Sequence, residues 1–402
     1  MSTPDVAQRD RWILVAIGVA VVVGVVVTVC RPWDLQNGLM IGAPVGRDFA
    51  NFWLGGRLAL DGNFPLLIDV AGYNELFSRT FDHNPAESFI YSYPPHSLLF
   101  VAPFAALPFT PAVYLWTALN LFGIERAVRL LGGNASLAVT ACLSPAVLTM
   151  VVFGHFGGAL AWLAVYALLR AESRPMLAGV CLALISVKPQ LALVLGIILI
   201  LTGRWRAVAW SVPATLSIVA LSVAAFGIEP WRNFVTWVVP FHARLVADFS
   251  IEGLRTVISV YAGARLSGLP GLPAQLLQYA FSLVVLARAV ILFRRQGANA
   301  RTVTLAVLAG LAALPYFNSY DLAIAAPALT LALFDREEAP LLPFVPAVVL
   351  WLLPIFSIPV GLLEIPAIPL LFNAVLLLAL FGSAWRSAGL VGSPAAPPAA
   401  AR

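Results

Sequence analysis

Residues 12–30, WILVAIGVAVVVGVVVTVC, run 19 positions without a charge, close to the roughly 20 apolar residues that one bilayer-crossing helix needs. A cleaved signal peptide is the competing reading of this segment. It fails on three counts: no small-x-small cleavage site follows, Val27-Thr28-Val29 precedes Cys30 where a lipoprotein signal would want small residues, and further apolar runs come later. Arg9 and Arg11 precede the run, so its N-terminal flank is basic. Across the whole chain 61% of residues are hydrophobic and 11% charged, far from the roughly half-apolar, quarter-charged norm of soluble domains. The expected fold class is therefore an all-α polytopic membrane protein.

Further spans are expected near 111–130, 134–151, 157–170, 175–187, 190–202, 206–226, 272–294, 300–315, 321–334, 341–357 and 367–385, about twelve with the first. The segments 175–187 and 190–202 are short for a bilayer and meet at Lys188-Pro189, which reads as a broken helix. The apolar stretch from Tyr93 to Pro108 is too short to cross and reads as a helix at the interface. Residues 1–391 form one integral membrane unit on this reading. The Gly-Ser-Pro-Ala-rich tail 392–402 has a low-complexity, disordered composition.

The net charge of +5 gives an orientation. Fifteen of the 24 Lys and Arg residues, among them Arg126, Arg129, Arg170, Arg174, Arg204, Arg206, Arg288, Arg294, Arg295 and Arg301, fall on one side of these spans, whereas 12 of the 19 acidic residues fall on the other. The basic side is the cytoplasm. Both termini are then cytoplasmic, in an inner (plasma) membrane, and residues 31–110 form an outer loop. No basic patch is interleaved with aromatics, so nucleic acid is not an expected partner. Cys30, Cys142 and Cys181 sit in apolar segments without metal-ligand spacing, which argues for packing rather than bridges or zinc.

The first part of that loop, residues 31–96, holds seven carboxylates (Asp34, Asp48, Asp61, Asp69, Glu75, Asp82, Glu87) against four arginines. Asp48 opens a run whose apolar positions 49, 52, 53 and 60 have helical spacing, an interfacial helix. It is either the N-cap of that helix or a general base that takes a proton from an acceptor hydroxyl. Lys188, the only lysine in the chain, is either a snorkelling cation or a phosphate clamp at a helix break. His155, in Gly154-His155-Phe156-Gly157, is a satisfied structural histidine or a contact for lipid phosphate or sugar. Arg47, His242 and Arg244 are further candidates for the donor's phosphate or sugar, although the 229–244 segment also reads as an ordinary aromatic belt. Trp53, Tyr93, His96, Tyr320 and Asp321 are candidates to line a cavity or hold an acceptor, with helix capping the alternative for Asp321.

Taken in order, Asp48-Phe49…Phe52-Trp53, Tyr93-Pro94-Pro95, Gly154-His155, Lys188-Pro189-Gln190, Gly203-Arg204-Trp205-Arg206 and Tyr320-Asp321-Leu322 resemble glycosyltransferase family 87, the polyprenyl-phosphate-mannose-dependent mannosyltransferases of GT-C fold. The resemblance covers nearly the whole chain. It implies transfer of a hexose, mannose in the family, with inversion, from a polyprenyl-phosphate-linked donor to a glycolipid or glycan acceptor on the outer face, Asp48 acting as catalytic base. No Asp-x-Asp pair or nucleotide motif is visible, so metal independence is expected, with no cofactor besides the lipid-linked sugar and membrane lipids as the surroundings. Two departures stand out. Where the family often shows Gly-Gln-x-Asn this chain has Gly154-His155-Phe156-Gly157, and where it shows a Pro-x-Tyr-Asp-like element this chain has Pro65-Leu66-Leu67-Ile68-Asp69. The competing function class is a lipid or sugar transporter or flippase, which would call for a central polar pathway and repeat symmetry; neither is legible.

Overall fold

The computed structural model describes residues 39–40, 43–44, 46–81, 90–242, 254, 257–334, 342, 344–361 and 366–389. The first expected span (12–30), Cys30, His83, Glu87, Arg244, Arg336 and the tail 392–402 lie outside these. Among the described residues the chain is helical apart from a two-residue antiparallel pair, Leu39–Met40 with Ala43–Pro44.

Among the described residues two helices, Trp205–Phe226 and Gly271–Gln296, are each long and apolar enough to cross a bilayer, or up to four if each of two bent pairs counts as one span. Several of the other expected spans are shorter or bent, for local reasons. The expected span 134–151 is cut at Leu143-Ser144 into Ala135–Cys142 and Pro145–Phe153, bent by 54°, because Pro145 has no N–H to continue the first helix. The Tyr93–Pro108 stretch gives a short helix, Leu98–Ala105, that turns by 120° into Phe109–Leu130. Pro175–Ile185 and Pro189–Leu201 each start at a proline and break at Lys188 as read. Gly157–Arg170 and Ala300–Ala312 are apolar but only 14 and 13 residues long.

The outward faces of these helices are apolar: Tyr114, Leu115, Leu193, Leu216, Leu221, Leu272 and Leu283 are all exposed. Water does not tolerate so continuous an apolar surface, whereas lipid does. Inside, association relies on close backbone approach. A Cβ added to Gly179 would stand 2.6 Å from both the Ala207 carbonyl and the Trp210 Cβ, so Pro175–Ile185 and Trp205–Phe226 touch backbone to backbone, as small residues allow in membranes. Gly123 and Gly158 meet in the same way between Phe109–Leu130 and Gly157–Arg170. Asn120 closes that joint by accepting from the Ala159 N–H at 3.1 Å.

The helix Arg47–Leu60, here α1, buries Phe49, Phe52, Leu54 and Leu58 against Leu98–Ala105, Tyr73 and Trp116. The Tyr73 hydroxyl donates to Asn51 Oδ1 at 2.6 Å, and Asn51 Nδ2 donates to the Ile90 carbonyl at 3.2 Å. These bonds tie α1 and Val70–Phe81 to the strand-like segment at 90–94, which fixes the start of α1 over the bundle.

Candidate active site

Two left-handed glycines set the site. Gly46 (φ 75°) is the N-cap of α1 and Gly154 (φ 72°) ends Pro145–Phe153, conformations that glycine adopts without penalty. They pack back to back: a Cβ on Gly154 would lie 2.7 Å from the Phe49 Cβ and 2.8 Å from the Gly46 Cα. Gly46 N–H donates to the Val152 carbonyl at 3.0 Å, and Trp116 Nε1 donates to the Gly154 carbonyl at 2.9 Å. The start of α1 is therefore clamped to the 153–156 turn, which brings Asp48 and His155, 107 positions apart in sequence, to one place.

Asp48 is the second residue of α1, and no side chain caps the helix. The capping alternative is thus excluded, and the carboxylate is left for other work. Its Oδ1 accepts from Arg47 Nε at 3.3 Å, and the Arg47 guanidinium lies over the Phe153 ring at 5.4 Å. Burial pushes the Asp48 carboxyl above its usual range; Arg47 pulls the other way, and the charges of Asp321 and Lys188 also reach it.

Lys188 precedes Pro189–Leu201 and is buried, so the snorkelling alternative is excluded as well. Its ammonium donates to Asp321 Oδ1. Asp321 sits in the 3-10 turn Ser319–Ile324, where its Oδ2 accepts the Asn318 N–H at 3.0 Å. One oxygen thus completes the capping box of the turn, whose N-cap is Asn318, while the other neutralises Lys188. His155 Nδ1 stands 3.9 Å from the same Asp321 Oδ1, and its Nε2 is 3.5 Å from the Tyr93 hydroxyl. Phe156 and Tyr320 hold the ring between them, with centroids at 4.2 and 4.5 Å. Burial, reinforced by the Lys188 charge, pushes the His155 imidazole down to about 3, so it is neutral at physiological pH.

A model of glycosyltransferase family 87 matches residues 91–315, more than half of the chain. The chain belongs to glycosyltransferase family 87. Two curated relatives, alpha-(1->3)-arabinofuranosyltransferases of Mycobacterium tuberculosis strains CDC 1551 / Oshkosh and ATCC 25618 / H37Rv, are each 29% identical over 185 residues, 42% of this chain and 40% of theirs. The chain thus spans less than half the length of those relatives. No solved structure matches it.

The family 87 match takes in Tyr93, His96, His155 and Lys188 and leaves Asp48 and Asp321 outside; packing is what brings these last two to the others. Tyr93 packs on Phe52 at 4.8 Å and Phe156 at 5.5 Å, and it also lines a small, partly open cleft together with Tyr91, Pro95, Pro230, Asn233 and Phe234. His96 is buried beside this cleft. Its Nε2 meets Ser186 Oγ at 3.1 Å, its ring stacks on Trp231 at 5.8 Å, and its Nδ1 has no hydrogen-bond partner. The cleft's far wall is a turn of π-helix, Phe234–Val238, a form often found at functional sites.

Two candidates are not brought to the cluster. Trp53 donates from Nε1 to the Leu107 carbonyl at 3.0 Å and packs on Phe81 and Phe109; it braces α1 from behind and does not line the cleft. His242 packs against the Phe241 ring. Ser186, Trp231 and Asn318 are contributors that reading for catalytic residue types passes over. Ser186 lies two positions before Lys188, and Asn318 holds Asp321 through its backbone N–H while its Nδ2 donates to the Tyr320 hydroxyl at 2.8 Å. Among the described residues no three His, Cys, Asp or Glu side chains gather as a metal would need.

Proposed function

We propose that this family 87 protein transfers a glycosyl residue, with inversion, from a polyprenyl-phosphate-linked sugar to a hydroxyl of a glycolipid or glycan acceptor at the outer membrane–water boundary. The observation that carries the proposal is the gathering of a desolvated carboxylate, Asp48, which feels the Lys188 and Asp321 charges, with the Lys188–Asp321 pair and a neutral aromatic-flanked His155. Asp48 takes the proton from the acceptor hydroxyl, whose oxygen attacks the anomeric carbon. The carbon–oxygen bond to the phosphate breaks and its electron pair leaves on the phosphate. Lys188 faces that oxygen, a charge-assisted contact, so the leaving group needs a cation and no acid. Donor phosphate then competes with Asp321 for the ammonium, and Asn318 keeps Asp321 from following. Family 87 membership favours transfer over transport. Chemistry without a resident metal is part of the proposal.

Mannose is the sugar that the family resemblance implies; the names of the two mycobacterial relatives favour an arabinofuranose as the second reading. Purified protein in detergent, given polyprenyl-phosphate-mannose and polyprenyl-phosphate-arabinofuranose in separate assays with extracted membrane glycolipids, is expected to release polyprenyl phosphate and form a labelled product with one of them. Intact recovery of both donors under conditions where the protein is folded would refute the transfer reading.

A further inference from the structure

At the end of the bundle away from Lys188, three guanidiniums gather without an anion. Arg288 and Arg295 are seven residues, two turns, apart on one face of Gly271–Gln296, and Arg301 stands in the first turn of the next helix, Ala300–Ala312. The Arg288 guanidinium feels the positive charges of both. Among the described residues no carboxylate is within ion-pair distance of any of the three. Their neighbours are provided for: Arg204 reaches Glu172 and lies over the Phe293 ring, and Arg294 donates to the Leu201 carbonyl. Arg288 has only the Leu380 carbonyl at 3.1 Å and the Phe381 ring at 5.3 Å, which leaves terminal N–H groups to spare. Among the described residues Arg301 Nε is buried and has no acceptor.

The setting names the missing anion. Arg288 lies eight residues short of the helix end, about 12 Å inside it at the usual rise. Along the same face Val284 and Ile291, the apolar residues that alternate with Arg288 and Arg295, are exposed, as are Leu378 and Phe381 on the neighbouring helix. A soluble anion does not reach cations set among lipid-facing side chains, but the phosphate of a lipid does, and basic pockets between membrane helices take such headgroups. The guanidinium fork matches phosphate oxygens in pairs.

We propose that the groove between Gly271–Gln296 and Ala367–Gly389, with Arg288, Arg295 and Arg301 at its head, binds the phosphate of an anionic phospholipid. The site is separate from the transfer site and does not depend on the reading of it. Native mass spectrometry of the full-length protein, delipidated and then incubated with phosphatidylglycerol or phosphatidylcholine, tests it. The wild type is expected to retain phosphatidylglycerol over phosphatidylcholine. R288Q/R295Q/R301Q is expected to lose about tenfold or more of it, the scale of one charge-assisted contact. R206Q, which removes an exposed arginine at the same end of the bundle, keeps it. R295Q alone, which spares the Arg288 contact to Leu380, is expected to lose several-fold and serves if the triple variant does not fold. Equal retention by wild type and R295Q, equal binding of phosphatidylcholine, or complete displacement of phosphatidylglycerol by millimolar inorganic phosphate would overturn the proposal.

Discussion

Asp48 stands second in its helix, two positions past the Gly46 N-cap, and that register decides what its carboxylate is for. Because Gly46 is the N-cap, Asp48→Asn removes a base without touching a cap. Burial raises the Asp48 pKa, so the native fold holds a proton there that the unfolded chain has already lost. Stability from this group is present below the ordinary carboxylate range and is lost as pH rises through the raised value. Two results follow. The acid limb of the transfer rate should lie above the ordinary aspartate range, as a pH–rate profile of wild type will show, and Asp48→Asn should melt no lower than wild type at neutral pH. His155 stays neutral at that pH because burial has pushed it to about 3, so its titration should not appear between pH 5 and 8. Lys188 and Asp321 form a buried pair, and removing either alone leaves a charge without a partner, at a cost of about 3–5 kcal/mol. Lys188→Met and Asp321→Leu should each lower the melting temperature in detergent, while the double variant should recover much of the loss. Additive losses in the double variant would mean that the two groups are not coupled.

Helices rather than residues explain what could be read in advance and what could not. The break at Lys188-Pro189, the interfacial helix beginning near Asp48 and the short segment before Pro108 were all legible, because proline, charge placement and apolar spacing act locally. The bend inside the expected span 134–151 was not, because an apolar run fixes composition and leaves the axis open: Ser144-Pro145 splits that run, bending it by 54°. The clamp between α1 and the 153–156 turn was illegible for a different reason. It rests on two glycines whose left-handed backbones face each other, and residue identity alone does not say which distant glycines meet. Gly154→Ala tests that clamp. The new methyl meets Phe49 and the Gly46 backbone at under 3 Å in a left-handed conformation, so a loss of about 1–3 kcal/mol is expected, with turnover falling further than stability because Asp48 and His155 lose their relative placement. A variant of unchanged turnover and unchanged melting would show that the two elements are positioned by something else.

On the scale of the whole molecule, one end of the bundle carries the carboxylates, the lysine and the aromatic cleft, while the other carries arginines. In the proposed topology, which follows the arginine bias, the first end faces outward. A single introduced thiol at Asn63, exposed just past α1, should therefore react with a membrane-impermeant reagent added to intact cells; labelling only after the cytoplasmic side is opened would reverse the topology and place transfer on the inner face. The order of the motifs let the sequence suggest the family and the base, whereas the Asp321 partner of Lys188, the Ser186 contact of His96 and the Trp231 stack came only from packing between segments far apart in the chain. The central claim is that Asp48 is the base of a lipid-linked glycosyl transfer. It is tested most directly by the turnover of purified Asp48→Asn against wild type, on whichever polyprenyl-phosphate sugar the wild type consumes, with melting recorded on the same samples. The account predicts a loss of roughly a hundredfold or more, the usual scale for a removed general base, at unchanged or higher melting temperature. Wild-type turnover in a well-folded Asp48→Asn protein would contradict it.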